Sequence, residues 1–241
     1  MNTTKQENEF DIVDLHAHIL PKADHGSTSV KQSLAQLKYA REVGVTRIFA
    51  TPHFYPHRHS VDRFICRRNR SCEVLYESGA MTPDMPQIRL GAEVLLFENL
   101  DKMPDLHKLC FEGTNQLLVE LPFVDLTVEH VETVGKIMDM GIRVVIAHAD
   151  RYEKKMVDEF VKIGATLQLN VHPLCAFKRQ DHLFDWIEKN FVIGIGSDIH
   201  GSKRAFYKNF FKAQKKIGPK LAYLCERSDE LWNSSREYVF K

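Results

Sequence analysis

The chain is poor in cysteine. Its 241 residues include only Cys66, Cys72, Cys110, Cys175 and Cys225, and no two of them have C-x-x-C spacing. An odd number of scattered cysteines argues against a disulfide framework and is typical of free thiols in a reducing compartment. The same spacing offers no thiolate cluster for a metal ion.

The chain also lacks a long apolar run and an excess of either charge. No stretch approaches the ~20 apolar residues of a membrane span, and residues 1–9 are polar, without the apolar segment of a signal peptide. We therefore expect a cytoplasmic protein without membrane insertion, in which residues 1–9 are disordered. The 33 basic and 32 acidic residues leave a formal charge of +1, which argues against attraction of nucleic acid by net charge.

Short apolar strands alternate with helical patterns along the chain. The strands are predicted at about residues 10–18, 47–51, 87–96, 117–121, 143–148, 166–170 and 192–200. Helices are predicted from Ser29 to Gly44, at about 60–79 and 126–140, before Gly164, and at about 179–190 and 203–234. Such alternation is typical of a parallel sheet. The predicted fold is α/β, a distorted (β/α)7 TIM-like barrel or a related open sheet, in one domain at 10–241.

The first strand ends in two histidines, His16 and His18. Residues two apart on a strand face the same side, so both imidazoles leave the end of the strand in one direction. Alone, this pair suits a hydrogen-bonded core as well as a metal ion. Similar side chains follow the other strands: His53, Glu93, Glu120, His148, Asp198 and His200. Strand ends meet at one face of a barrel, and burying so many ionisable groups without partners would be costly.

Histidines and carboxylates without cysteine suit zinc, manganese or iron. The residues outnumber the ligands of one ion, which predicts two or three divalent ions that share bridging carboxylates. That arrangement suits displacement at phosphorus, because it stabilises both the attacking and the leaving oxygen. The alternative is one structural metal ion beside surface histidines.

The motifs resemble those of the polymerase and histidinol phosphatase (PHP) superfamily. They are Asp14-x-His16-x-His18, Thr51-Pro52-His53, Gly91-x-Glu93, Ala147-His148 and Ser197-Asp198-x-His200. The sequence is most similar to the manganese-dependent protein-tyrosine phosphatases of bacterial capsule and exopolysaccharide operons. This similarity rests on His18-Ile19-Leu20-Pro21, Asp24-x-Gly26, Glu120-Leu121-Pro122-Phe123 and His148-x-x-Arg151-Tyr152. It extends over residues 11–234 and implies the PHP barrel.

The resemblance also implies three groups of metal ligands, with manganese as the expected ion and zinc or iron as alternatives. They are His16, His18, Glu93 and Asp198; His25, His53 and His200; and Glu93, Glu120 and His148. Glu93 would bridge two ions. His25 departs from the family pattern, since close relatives carry aspartate there.

Arg151 and Arg204 would grip the phosphate, because a guanidinium donates two parallel hydrogen bonds to phosphate oxygens. His200 is a candidate catalytic acid, as are His57 and His172. Asp150 precedes Arg151 where relatives have glutamate, and this shorter acid could change how the arginine is oriented.

The implied reaction is hydrolysis of phosphotyrosine in a protein by a hydroxide formed on the metal ions. The substrate would be a tyrosine kinase of a polysaccharide export system. A cysteine nucleophile would need arginine six residues later, and none of the five cysteines has one. The alternatives are a small-metabolite phosphatase such as histidinol phosphatase, a PHP-type phosphodiesterase, an amidohydrolase and a non-enzymatic binding module.

Overall fold

The computed structural model describes residues 11–124, 126–178 and 180–234. Its strands are β1 (Ile12–Ala17), β2 (Val45–Ala50), β3 (His53–Phe54), β4 (Gln87–Leu90), β5 (Glu93–Leu95), β6 (Gln116–Glu120), β7 (Arg143–Ile146), β8 (Thr166–Asn170) and β9 (Val192–Gly196). Its α-helices are α1 (Val30–Glu42), α2 (Val61–Glu77), α3 (Val128–Asp139), α4 (Lys154–Lys162), α5 (Val171–Leu174), α6 (Asp181–Glu188) and α7 (Ala205–Ser234). The disordered segment predicted at 1–9 lies outside the described residues.

The predicted helices are present, and their ends follow local chemistry. The hydroxyl of Ser29 accepts a hydrogen bond from the Gln32 amide (3.2 Å) and caps α1. Gly44, with φ of 87°, follows the end of α1 in the left-handed region that suits glycine. Helix α7 is kinked at Ile217 (φ −130°, ψ 25°), two residues before Pro219, whose ring cannot continue regular helical hydrogen bonding.

All of the strand pairs are parallel, as predicted. One sheet has the order β1-β2-β4 and the other β3-β5-β6-β7-β8-β9. Strands β2 and β3 occupy one position in the barrel and β4 and β5 another, so the nine strands fill seven positions. A parallel bridge between Ala17 and Ile199, with a hydrogen bond from the Asp198 amide to the His16 carbonyl (2.8 Å), joins β1 to the end of β9. The protein therefore has the predicted distorted seven-position (β/α) barrel.

The single strand predicted at 87–96 is interrupted at Gly91 and Ala92. Its first half pairs with β2 and its second half with β3 and β6. Pro52 interrupts the neighbouring strand at the same level, because proline has no amide hydrogen for the ladder. A Cβ on Gly91 would lie 3.0 Å from the ring of Phe111, so a small residue is needed at this break.

One apolar cluster contains residues from β1, β2, β6, β7 and β9. Because these strands lie on different sides of the barrel, the cluster fills the barrel interior. It contains Val13, Leu15, Phe49, Phe111, Leu118, Val145, Ala147, Ile193, Leu231 and Trp232. Leu231 and Trp232 belong to the last turn of α7, so this helix completes the packing at the end of the interior opposite the polar strand ends. No described helix combines the length and apolar character needed to cross a membrane.

Candidate metal centre

The two histidines at the end of β1 meet at one point. Their Nε2 atoms lie 3.0 Å apart, and both side chains are buried. Asp14, earlier on the strand, accepts hydrogen bonds from the His16 amide (3.2 Å) and the Ser197 amide (2.8 Å) through Oδ1. Asp14 thereby ties β1 to the loop that carries Asp198.

Glu93, at the start of β5, lies at the centre of the site and is 1% exposed. Its Oε2 lies 3.2 Å from Nε2 of His16 and 3.2 Å from Nε2 of His18. The same oxygen lies 2.9 Å from Nδ1 of His53, while Oε1 lies 2.8 Å from Nε2 of His148. One carboxylate thus contacts four histidines from three separate strand ends.

Two further carboxylates complete the cluster. Asp198, after β9, has Oδ1 at 3.3 Å from Nε2 of His18 and 3.4 Å from Nδ1 of His200. Glu120, at the end of β6, has Oε1 at 3.7 Å from Nε2 of His148 and Oε2 at 3.8 Å from Nδ1 of His53. His148 and Asp198 both have positive φ (32° and 49°), which is uncommon for residues other than glycine and here directs both side chains into the site.

The negative charges of the carboxylates raise the pKa values of two buried imidazoles, those of His16 and His18. Burial lowers the pKa of His16, but the charges of Glu93 and Asp198 outweigh it and raise that pKa. The pKa of His18 is raised well above its ordinary value despite burial, through hydrogen bonds to Asp198, Asp24 and Glu93. Burial and the neighbouring charge of Glu93 raise the pKa of Glu120 to about 7. The buried carboxylates therefore favour positive charge at the centre of the site, supplied by protons or by a metal ion.

Several nitrogen and oxygen atoms that could bind a metal ion face one another without forming hydrogen bonds. Their arrangement shows whether the residues suit such an ion. Nδ1 of His53 and Oε2 of Glu93 are 2.9 Å apart, yet both lack a hydrogen-bond partner among the described residues. The Nδ1–H of His200 donates to the Asp198 carbonyl (3.1 Å), which leaves Nε2 without a partner. Buried polar atoms normally have partners. Lone pairs aimed at a shared point fit divalent cations.

Among the residues that the structure describes, four groups of donor atoms are close enough to hold an ion. They are His16, His18 and Asp198; His18, His53 and His200; His16, Glu93 and His148; and His53, Glu93 and Glu120. The first agrees with the predicted first ligand group, and the last two together contain the predicted third group. In the second group His18 takes the position predicted for His25. The exposed ring of His25 stacks beside those of His53 and His200, with centroids 4.8 and 4.6 Å apart.

The two predicted phosphate-binding arginines lie in different surroundings. Arg151, in the 3-10 turn after β7, donates to Asp198 beside the cluster, and its side chain is 40% exposed. Arg204 instead forms an ion pair with Glu42 on α1 and lies over the ring of Tyr39. The structure brings Arg151 to the site and leaves Arg204 at the surface, so the role of Arg204 stays a prediction.

The structure also gives the positions of the candidate acids His57 and His172 and of the neighbouring His59. His57 lies near Tyr55, with ring centroids 6.1 Å apart, and His59 contacts Arg67 through Nε2 (3.0 Å). His172 is exposed on α5. The carboxylate of Asp150 accepts a hydrogen bond from the Asn170 amide (2.6 Å), which fixes the turn carrying Arg151 to the end of β8.

Sequence reasoning missed two residues that orient the histidines. Asp24 accepts a hydrogen bond from Nδ1 of His18 (2.7 Å) and another from the His53 amide (3.0 Å). Gln168 on β8 places Oε1 3.1 Å from Nδ1 of His16 and accepts from the His148 amide (2.7 Å). Such partners fix the tautomer of a ligand histidine. The detectable signal for Gln168 was a polar side chain between Leu167 and Leu169 in a predicted buried strand.

Comparison with known proteins agrees with this architecture. A family model described as "Capsular polysaccharide synthesis, CpsB/CapC" matches residues 12–222. The chain is 26% identical to the tyrosine-protein phosphatase YwqE of Bacillus subtilis over 236 residues, covering 91% of each chain. It is 23% identical to the tyrosine-protein phosphatase CpsB of Streptococcus agalactiae over 205 residues, covering 78% of this chain and 83% of the relative.

Solved structures show the same fold. One match is to the crystal structures of YwqE from Bacillus subtilis and CpsB from Streptococcus pneumoniae, described as metal-dependent tyrosine phosphatases. Its TM-score is 0.74 at 20% identity, and it covers 95% of this chain and 96% of that chain. A β-aspartyl dipeptidase from Fervidobacterium islandicum matches with a TM-score of 0.52 at 14% identity, over 89% of this chain and 69% of that chain. Since the family model spans most of the barrel and its strand-end ligands, the chain belongs to the CpsB/CapC family of capsular polysaccharide synthesis.

Proposed function

We propose that this protein is a metal-dependent phosphomonoesterase that removes phosphate from tyrosine residues of proteins in capsular or extracellular polysaccharide synthesis. The observation that carries the proposal is a buried cluster at one end of the barrel, in which Glu93 contacts four histidines and two further carboxylates contact those histidines. The histidines are His16, His18, His53 and His148, and the carboxylates are Asp198 and Glu120. The family and the relatives named tyrosine-protein phosphatases support this substrate. A cytoplasmic location and a kinase of the export system as substrate belong to the same proposal.

The residues fit two or three divalent ions, with manganese as the proposed metal. His16, His18, Glu93 and Asp198 would hold one ion. His53 and His200 would hold a second with His18 or His25, and Glu93, Glu120 and His148 a third. Ions at these positions would polarise the phosphate oxygens and lower the pKa of bound water. Imidazole and carboxylate donors suit manganese, zinc and iron.

The protein's own side chains would orient the phosphate. Arg151 already donates to Asp198 and retains further N–H groups at its exposed side, so it can hold a phosphate oxygen while remaining fixed to the cluster. Asp24 and Gln168 keep the Nε2 atoms of His18 and His16 directed inward by binding Nδ1 on the far side of each ring. Because these side chains are already held in place, little movement of Arg151 and of the two histidines would be needed to reach the transition state.

The surroundings of the cluster favour a protein substrate over a small metabolite. Phe123, three residues after Glu120, is 78% exposed, and His200 is 28% exposed in its side chain. Tyr152 connects Phe123 to the cluster, with its ring 5.7 Å from the His148 ring and 6.1 Å from the Phe123 ring. An open, aromatic rim suits a phenyl ring presented on a protein surface, whereas small ligands are usually enclosed. A phenol with pKa near 10 also leaves readily without a strong acid catalyst.

A rate comparison tests the proposal. The protein is treated with a chelator, supplied with manganese, and assayed on a phosphotyrosine peptide, the matching phosphoserine peptide and histidinol phosphate. We expect the highest kcat/KM for the phosphotyrosine peptide, and no turnover before manganese is added. Preference for histidinol phosphate would contradict the substrate, and full activity after chelation would contradict the metal-dependent mechanism.

A further inference from the structure

The loop after β3 and the first turns of α2 carry uncompensated positive charge. We call Arg58, Arg63 and Arg67, with His57 and His59, the basic patch. Within residues 11–124, 126–178 and 180–234, none of its arginines forms an ion pair with a carboxylate. Further along the same helix Arg70 pairs with Glu73 (3.1 Å) and Glu77 (3.2 Å). Positive charge is thus neutralised at the far end of α2 and left free at the end near the metal centre.

This arrangement costs stability. Arg63 lies in the first turn of α2, where the helix dipole disfavours positive charge. The one acidic residue in that turn, Asp62, lies 3.5 Å from Lys108 rather than pairing with Arg63. Burial and the charges of Arg67, Arg63 and Arg58 lower the pKa of His59. Arg67 Nε also lacks a hydrogen-bond partner among the described residues.

The basic patch is continuous with the metal centre. The ring of Tyr55 stacks on that of His53, with centroids 5.3 Å apart. The guanidinium of Arg58 lies over the Tyr55 ring, 5.2 Å from its centroid, and the Arg58 amide donates to the Tyr55 carbonyl (2.9 Å). One side chain, Tyr55, therefore separates the exposed Arg58 from His53, a proposed metal ligand.

We infer that the basic patch binds acidic side chains that flank the phosphotyrosine of the protein substrate. This inference rests on the proposed function and specifies the substrate as a tyrosine phosphate within an acidic segment. Guanidinium groups pair with carboxylates through two parallel hydrogen bonds, and free arginines beside the site offer this pairing. A nucleic acid fits less well, because the chain's net charge is only +1 and the Tyr55 ring already contacts both His53 and Arg58.

The test compares two phosphotyrosine peptides that differ only in their flanking residues, glutamates in one and glutamines in the other. Both are assayed with the manganese-loaded protein, alongside p-nitrophenyl phosphate, which has no flanking residues. We expect kcat/KM to be about 5-fold higher for the acidic peptide, through a lower KM, because exposed ion pairs contribute modestly. Raising the salt from about 50 mM to about 500 mM should remove the difference, since salt screens exposed charges.

The variant R58A/R63A should hydrolyse the two peptides equally and p-nitrophenyl phosphate at the wild-type rate. R70A is the matched control, because it removes an arginine from the same helix outside the basic patch and should retain the preference. Equal rates of the wild-type protein on both peptides, or a preference retained by R58A/R63A, would overturn this inference and leave the proposed function unaffected. Turnover of neither phosphopeptide would instead refute the proposed function. Stronger binding of a single-stranded RNA than of the acidic peptide, measured by fluorescence anisotropy, would also overturn the inference.

Discussion

Oε1 of Gln168 lies 3.1 Å from Nδ1 of His16, and this ring nitrogen must carry the proton because an amide oxygen only accepts. In the neutral ring that can bind a metal ion, Nε2 of His16 is consequently the nitrogen with a free lone pair. The same Gln168 oxygen accepts the His148 amide, so one side chain positions two of the proposed ligands. This buried contact explains why a glutamine occurs between Leu167 and Leu169 in β8.

Replacement of Gln168 by leucine should weaken manganese binding by about 10- to 100-fold, because the orientation and tautomer of His16 would no longer be fixed. The affinity is measured by competition with a fluorescent chelator. T166V on the same strand is the control, since Thr166 is half-buried and its hydroxyl donates to the Val144 carbonyl rather than to a histidine. Equal affinities of Q168L and the wild-type protein would show that Gln168 does not orient a ligand.

Replacement of Glu93 by alanine should lower turnover of a phosphotyrosine peptide by at least ~1000-fold, because one carboxylate contacts four histidines and is proposed to bridge two ions. Elemental analysis should also detect fewer manganese ions per chain. E98A, which removes an exposed carboxylate five residues later, is the control. Wild-type turnover by E93A would refute the bridging role.

Replacement of Arg151 by alanine should lower kcat/KM by about 100-fold through loss of a charged donor to the phosphate. Lysine should restore only part of this loss, because an ammonium cannot donate two parallel hydrogen bonds. Competitive inhibition by inorganic phosphate should weaken in both variants. Arg143, exposed at the opposite end of β7, provides the control R143A. Unchanged phosphate inhibition in R151A would assign the arginine a role other than phosphate binding.

Replacement of the exposed Phe123 by alanine should lower kcat/KM for a phosphotyrosine peptide by about 3- to 10-fold, since contact between aromatic rings is worth about 0.5–1.5 kcal/mol. The slower turnover of a phosphoserine peptide should change little, because serine presents no ring to Phe123 and Tyr152. M140A removes another exposed apolar side chain, at the far end of α3. Equal losses on both peptides would argue against selection of the phenyl ring at this rim.

The strand-end histidines and acids could be predicted because their signal is local. His16, Glu93 and His148 each interrupt apolar sequence at a point where a strand ends, and a parallel barrel brings such ends together. The single strand predicted at 87–96 was wrong, since its interruption depends on Pro52 in the neighbouring strand and on the Phe111 ring beside Gly91. Neither neighbour is adjacent in sequence.

The sequence by itself determined the parallel (β/α) architecture, the donor residue types and the face on which they gather, because strand periodicity and strand order place them there. Only the tertiary structure decided which atoms meet: Glu93 at the centre, Gln168 and Asp24 behind the histidines, Arg151 at the site and Arg204 paired with Glu42. Those relationships depend on side-chain direction and on register between distant strands, which the spacing of residues along the chain does not encode.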